Sequence, residues 1–379
     1  MLRTIAVAAA LLANIACVKG GETYTVGAAG PWREGYGVMT RRGIDLAVEE
    51  VNGAGGIRGG RLTIAARDDQ ADPARATSIA QEFVANPEIL AVIGHVNSGA
   101  MMSASRIYDG RLTAVATTAS SPDLSGISQW TFRVISSDSL NGVILARFAS
   151  RIAGDAVSMK RVSILYENDS YGRGLADAFR RAFRGTIVSF DPISETVDPE
   201  PFVSYMKLKQ PAIVFIAGRE GSALRILRES KRQGFEPIFI GGDGWQSVVT
   251  DPAASEGAYV GTSFNAENQD PDVQRFVKAF EKRYRQKPDA FAALAYDATR
   301  LVAQALNKSG RDRKKVRDYY RSLTRMAPFQ GVTGPIYFND LGDPIGMGFH
   351  VAQVVSGVLV SGGARVALNN ADTLPEQAR

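Results

Sequence analysis

Ile89-Leu90-Ala91-Val92-Ile93-Gly94-His95-Val96-Asn97-Ser98-Gly99-Ala100 is the stretch whose reading decides the fold. Its first five residues are an unbroken apolar run bounded by turn residues, which suits a strand buried on both faces. Gly94 ends the run, and a short polar loop leads into a helical pattern from Ala100 to Ile107. Strand, short loop and helix in that order form half of a parallel crossover unit.

The same alternation extends both ways from this stretch. Upstream, strands are predicted at Tyr24 to Ala28 and Leu62 to Ala66, with helices at Met39 to Val51 and Pro73 to Ala85. In the first helix Ile44, Ala47, Val48 and Val51 share one face. Downstream, a strand runs from Leu112 to Ala116, and then the rhythm restarts. Strands at Val162 to Tyr166, Thr186 to Phe190, Ala212 to Ala217 and Pro237 to Ile240 alternate with helices at Tyr171 to Phe183, Pro201 to Leu208 and Gly221 to Gln233. Helices at Asp272 to Tyr284, Ala290 to Leu306 and Arg313 to Leu323 follow, then strands at Ile336 to Phe338 and Gly348 to Val354. Two such series imply an α/β chain of two doubly wound lobes. A chain of 379 residues, 45% of them hydrophobic, exceeds one comfortable core and agrees with that division.

The ends differ from the middle. Arg3 and the apolar run Ile5 to Ala13 read as a secretory signal peptide over residues 1–20, too short for a membrane-spanning helix. Cys17 is the sole cysteine, so an intrachain disulfide and cysteine-based metal clusters are excluded. Its position resembles a bacterial lipobox, in which the thiol is acylated, although Asn14 stands where leucine is usual. Ordinary cleavage near Gly20 is the alternative. Residues 364–379 read as a polar tail. The formal charge of +5 is scattered, and its densest run, Arg311 to Arg321, reads as a solvated helix face rather than a nucleic-acid patch.

Enzyme signatures are sparse. The glycines from Gly53 to Gly60 follow a helix and precede a strand, the reverse of a dinucleotide loop, and read as a helix exit with a turn. Ser204 to Lys207 matches S-x-x-K without partner motifs. Only His95 and His350 are available for histidine chemistry, and His95, at a strand end, reads as a hydrogen-bonded structural residue before a general base. Asp68-Asp69 reads as a turn with one carboxylate capping the Pro73 helix, before a metal site.

What remains are hydroxyl-rich strand ends, where ligands of open parallel sheets sit. Ser98 opens a helix and offers a hydroxyl beside free backbone N–H groups, either a carboxylate site or a plain N-cap. Thr117-Thr118-Ala119-Ser120-Ser121-Pro122 is a second such loop, and the two could converge on one carboxylate.

At these residues the sequence resembles the leucine/isoleucine/valine-binding family of periplasmic proteins, the type I receptors of ABC importers. IGHVNS (Ile93 to Ser98) and TTASSPDL (Thr117 to Leu124) carry the resemblance. Further matches are GPWREGYG (Gly30 to Gly37), VEEVNGAGGIRGGRL (Val48 to Leu62), DDQADPARA (Asp68 to Ala76), ENDSYGRGLADAF (Glu167 to Phe179), IGGDGW (Ile240 to Trp245), LAYDATRL (Leu294 to Leu301) and FQGVTGPIYFNDLGD (Phe329 to Asp343). They keep family order through nearly all of the mature chain.

The resemblance implies two Rossmann-like lobes joined by three crossovers, 22–136 plus 262–339 and 137–261 plus 340–363. It implies a non-enzymatic, cofactor-free receptor that closes on an amino acid or a related small carboxylate or amide and is read by ABC permease subunits. An extracytoplasmic ligand sensor of the same fold is the alternative. Carried over, Ser98 and Ser120 would hold a ligand carboxylate. Thr118 (through its carbonyl), Ser120 and Asp243 would hold its ammonium, with Ala119 in the same loop. Tyr171 would reach across from the second lobe, with Tyr36, Val96, Asn97, Arg219 and Trp245 near the ligand side chain. Asp243 replaces the family's glutamate and Arg219 an aromatic residue. A cation there argues against a branched aliphatic ligand and for a polar or acidic one.

Overall fold

The computed structural model describes residues 22–154 and 160–361. The expected signal peptide with Cys17 and the expected tail of residues 364–379 lie outside the described residues.

The first series comprises β1 (Thr23–Gly30), α1 (Gly35–Gly53), β2 (Arg61–Asp68), α2 (Pro73–Ala85), β3 (Ile89–Ile93), α3 (Ser98–Tyr108), β4 (Ala114–Ala116) and β5 (Thr131–Arg133). Its five strands pair in parallel in the order β2-β1-β3-β4-β5. All five residues of β3 are buried, as its apolar run requires.

The second series comprises α4 (Asp138–Ile152), β6 (Arg161–Glu167), α5 (Ser170–Ala182), β7 (Thr186–Ile193), α6 (Glu200–Lys209), β8 (Ile213–Ala217), α7 (Glu220–Arg232), β9 (Ile238–Gly241), α8 (Pro252–Ser255) and β10 (Tyr259–Thr262). The chain continues with α9 (Pro271–Tyr284), α10 (Ala290–Ser309), α11 (Arg313–Ser322), β11 (Phe329–Gly331), β12 (Gly334–Phe338), β13 (Pro344–Ile345), β14 (His350–Val355) and β15 (Val358–Ser361). The second sheet runs β15-β14-β10-β9-β8-β6-β7, parallel except for the pairings of β14 with β10 and β15. Strands β11, β12 and β13 form a small antiparallel sheet.

Each large sheet is covered on both faces. On the first, α1, α9, α10 and α11 bury Ile44, Phe276, Leu301 and Tyr320 on one side, and α2 and α3 bury Phe83 and Met101 on the other. On the second, α4 and α5 supply Phe148 and Phe179, and α6 and α7 supply Met206 and Leu227. The chain therefore passes between the layers after β5, after β10 and between β13 and β14. The third passage falls later than the expected residue 340. Asp343 pairs with Arg133 at 2.6 Å and Met347 joins the first core, whereas Phe349 joins the second. We therefore place the change of lobe between Met347 and Phe349.

Several local readings change at atomic detail. Asp72, not Asp68 or Asp69, caps α2 by accepting from Arg75 N at 2.7 Å, with Pro73 at the first helical position. Asp69 is instead buried against His95, whose Nδ1 lies 2.6 Å from Asp69 Oδ2 and whose Nε2 lies 3.1 Å from the Tyr108 hydroxyl. His95 thus fixes the root of the Gly94–Ser98 loop. The basic run is not simply solvated. Arg313 donates to the carbonyls of Val84, Asn86 and Ile89 and so ties α11 to the start of β3. The glycine-rich exit of α1 is a turn: Gly55, Gly56 and Gly59 have positive φ.

No described helix is long and apolar enough to cross a membrane.

Helices α1 and α10 approach closely because Gly43 has no side chain: a Cβ there would lie 2.1 Å from the Ala292 carbonyl oxygen. Gly43→Ala should destabilise the protein by about 2 kcal/mol through forced separation of these helices. Chemical denaturation checks this; an unchanged midpoint contradicts the close approach.

Candidate functional site

In a doubly wound sheet the crevice lies at the carboxyl ends of the strands, where the order reverses. In the first sheet that point falls between β1 and β3, and in the second between β6 and β8. The loops leaving these four strands carry Tyr36, Val96-Asn97-Ser98, Tyr171 and Arg219. Thr118 follows β4, and Asp243 follows β9. All of them line one cavity of about 330 Å³ between the lobes, the small end of the roughly 300–1,000 Å³ typical of small-molecule sites.

The first lobe offers donors. Asn97 is the N-cap position of α3, but its side chain makes no capping bond, so first-turn N–H groups remain open. Ser98 is buried, and its Oγ accepts from Ser121 N at 3.2 Å, which leaves the hydroxyl proton free to donate. Thr118 Oγ1 donates to the Val96 carbonyl at 3.1 Å and locks the two loops together. Asn97 Nδ2 donates to the Tyr36 hydroxyl at 3.1 Å. The Tyr36 ring lies 5.5 Å from that of Phe291, at the start of α10. These rings and Val96 give the cavity an apolar wall.

The second lobe offers an acid. Asp243 is buried, and its Oδ1 accepts from the Tyr171 hydroxyl at 2.9 Å. That hydroxyl in turn accepts from Gly244 N at 2.9 Å. Burial raises the Asp243 pKa to about 6 against the lowering effects of Tyr171, its own backbone N–H and the more distant Arg219 charge. Burial, followed by the charges of Asp243 and Asp138, pushes the Tyr171 phenol well up, so it stays a donor.

Arg219 is not free in the way the sequence suggested. Its guanidinium pairs with Glu167, whose other oxygen accepts from Arg219 N at 2.9 Å and from Ser222 Oγ at 2.6 Å. A second pair, to Asp169, measures 2.8 Å, and the guanidinium also lies over the Tyr171 ring at 5.4 Å. Burial opposes the charge, but Glu167 and Asp169 outweigh it and push the guanidinium pKa up. Two carboxylates therefore already balance this cation, and the case for an acidic ligand side chain loses its basis.

Three expected residues lie outside the cavity. Trp245 is fully buried and packs on Gly241, where a Cβ would sit 2.0 Å from its ring. Ala119 is buried in the first core beside α3. Ser120 is buried, and its Oγ donates to Asp138 Oδ2 at 2.9 Å rather than facing the cavity. Phe291 and Gly244 line the cavity without having been singled out. Gly244 adjoins Asp243 and was within reach of the sequence, whereas Phe291 reads there as one more apolar helix residue. Ser204 and Lys207 are occupied on α6 and α7 by Glu200 and the Gln233 carbonyl.

Residues 25–358 match the family model described as periplasmic binding protein, so the chain belongs to that family. It is 28% identical over 318 residues to the leucine-, isoleucine-, valine-, threonine- and alanine-binding protein of Pseudomonas aeruginosa, covering 81% of this chain and 83% of that one. An ABC transporter substrate-binding protein of Desulfitobacterium hafniense, solved with leucine, superposes with a TM-score of 0.77 at 32% identity, covering 89% of this chain and 99% of that one. The branched-chain amino acid substrate-binding protein of Streptococcus pneumoniae, solved with isoleucine, shares the fold with a TM-score of 0.82 at 24% identity, covering 89% and 98%. The two-lobed α/β architecture is that of this family.

Arg219→Ala should leave Glu167 and Asp169 without their cation and destabilise the second lobe by roughly 2 kcal/mol, less than for a fully buried pair because Asp169 is partly exposed. Denaturation of the variant checks this, and Glu167→Gln in the same background should restore part of the loss.

Proposed function

We propose that the chain is the extracytoplasmic receptor of an ABC importer and holds an amino acid or a closely related small carboxylate between its lobes without altering it. One observation carries this reading: an uncapped helix N-terminus with the Ser98 hydroxyl and the buried Asp243 carboxylate line the same cavity from opposite lobes. A zwitterion taken out of water needs both charges met, since a buried charge left alone costs several kcal/mol. Ser98 and the first turn of α3 suit the ligand carboxylate. Asp243 suits the ammonium, with the Thr118 carbonyl beside it, while Tyr171 orients the acid.

The remainder of the ligand meets Tyr36, Val96 and Phe291. Because Glu167 and Asp169 already satisfy Arg219, the side-chain end favours a neutral group over an acidic one. The amino-acid binding named for the Pseudomonas relative and the leucine in the Desulfitobacterium structure support this class. That both solved relatives are transporter components supports import over sensing.

Ligand contacts to both lobes favour the closed form, which a permease would recognise. Micromolar affinity, about −8 kcal/mol, suffices for capture. In a thermal-shift screen of the mature protein against amino acids, small amides and carboxylates, at least one amino acid should raise the melting temperature by mass action. Ser98→Ala should weaken any carboxylate ligand about tenfold or more, and Asp243→Asn should weaken amine-bearing ligands far more than amine-free ones. A flat screen, or chemical turnover of the bound compound, overturns the reading.

Closure has its own contact. Gly174 on α5 faces Pro122 of the first lobe so closely that a Cβ would lie 2.6 Å from the proline Cδ. Gly174→Leu should improve helix propensity yet prop the lobes apart. The expected result is at least tenfold weaker binding with unliganded stability intact, and small-angle scattering at saturating ligand should show a larger radius of gyration than for the parent protein.

A further inference from the structure

Asp138 is fully buried, lines no part of the cavity, and has no role in the contacts described so far. It is the first residue of α4, directly after the first passage between lobes. Its Oδ2 accepts from Ser120 Oγ at 2.9 Å, its Oδ1 from Asn141 Nδ2 at 3.3 Å, and its N–H donates to the Ser120 carbonyl at 2.9 Å. Ser120 lies two residues beyond Thr118 of the cavity wall. From the other lobe Asp243 faces the same region, with Tyr171 between them sensing both charges.

Two guanidinium charges reach this pair of acids, and both are committed elsewhere. Arg133 is held by Asp343 at 2.6 Å, and Arg219 by Glu167 and Asp169. The other groups facing the two carboxylates are the Ser120, Asn141 and Tyr171 donors, which carry no charge. Two carboxylates that share a buried site do not both ionise readily, and the protons they hold belong to the pair rather than to one residue. Burial, followed by the Asp243 charge, pushes Asp138 well above the carboxylate range against the opposing effects of Ser120, Arg133 and Asn141.

We propose that Asp138 and Asp243 act as a proton-sharing pair whose proton a ligand ammonium displaces, which makes Asp138 a positioning residue that sets the cleft's demand for an amine. The inference rests on the amino-acid reading of the cleft. In the exchange a carboxyl O–H bond breaks, its proton leaves to solvent, and the incoming –NH3⁺ meets the carboxylates in its place. A ligand with the same carboxylate but no amine leaves the proton where it was. Binding of an amine should therefore strengthen as pH rises through about 6, where Asp243 loses its proton, and level off above.

The test uses the mature protein and two probes, the tightest binder among the twenty protein L-amino acids and its deamino carboxylic acid. Calorimetry at pH 5.5 in two buffers of different ionisation heat counts protons. The expected result is release approaching one proton for the amino acid and none for the deamino acid. The amino-acid Kd should tighten up to tenfold per pH unit between pH 5 and 6. Asp138→Asn keeps an acceptor for Ser120; binding should persist with the proton count at least halved, the pH slope flattened and the preference for the amine reduced.

No proton release in the parent protein, or an unchanged count in the variant, overturns the proposal while amino-acid binding stands. Failure of every L-amino acid to bind removes the amino-acid reading, and this proposal with it. Should the variant not fold, the parent measurement decides alone.

Discussion

A charge taken out of water must find its opposite, and this requirement shapes the site. Neither lobe alone meets a zwitterion. The first contributes N–H groups and hydroxyls at the α3 N-terminus, all suited to an anion. The second contributes the Asp243 carboxylate, suited to a cation. Only when the lobes meet does one small volume contain both, so selectivity and closure share a single electrostatic cause. The proposed receptor function depends on this division of labour more than on any one contact.

The same requirement explains how the second lobe holds its polar loops without ligand. Glu167 closes β6, Asp169 caps α5 through Gly172 N at 2.8 Å, and Arg219 sits at the N-cap of α7. Three charges at three element ends thus satisfy one another and pin the β6 and β8 loops at the switch point. Tyr171 stands on α5 beside this network and passes its rigidity to Asp243 through one hydrogen bond. Fixed donors lose little freedom when a ligand arrives, which is how preorganisation raises affinity.

Much of this was legible in the sequence, for identifiable reasons. The five-residue apolar run before Gly94, repeated in kind through the chain, encodes parallel strands because only a doubly covered sheet buries such runs. Ser98, Thr118 and Asp243 were legible because they stand just past strand ends, where open sheets bind ligands. Arg219 was located but its state was not, since Glu167 lies 52 positions away and nothing local declares the pairing. Ser120 and Trp245 were misplaced because adjacent loop residues point in different directions, and only the packed backbone decides which faces the cleft. Asp138 reads as an ordinary acid at a helix start, and its isolation follows from tertiary burial alone.

The positions of the acids along the chain connect chemistry to movement. Asp138 begins the helix that follows the first passage between lobes. The Asp243 carbonyl accepts from Gln246 Nε2 at 3.3 Å, and the same nitrogen donates to the Gly261 carbonyl at 2.9 Å. Gln246 Oε1 accepts from Thr262 Oγ1 at 3.0 Å, at the second passage. Each acid is therefore braced against a segment whose backbone must rotate for the lobes to open. Hinges of this type absorb their motion in a few residues at element ends. Opening would displace Asp138 and Asp243 relative to each other, and separated carboxylates no longer resist joint ionisation. The charge state of the cleft floor and the angle between the lobes are thus two descriptions of one equilibrium.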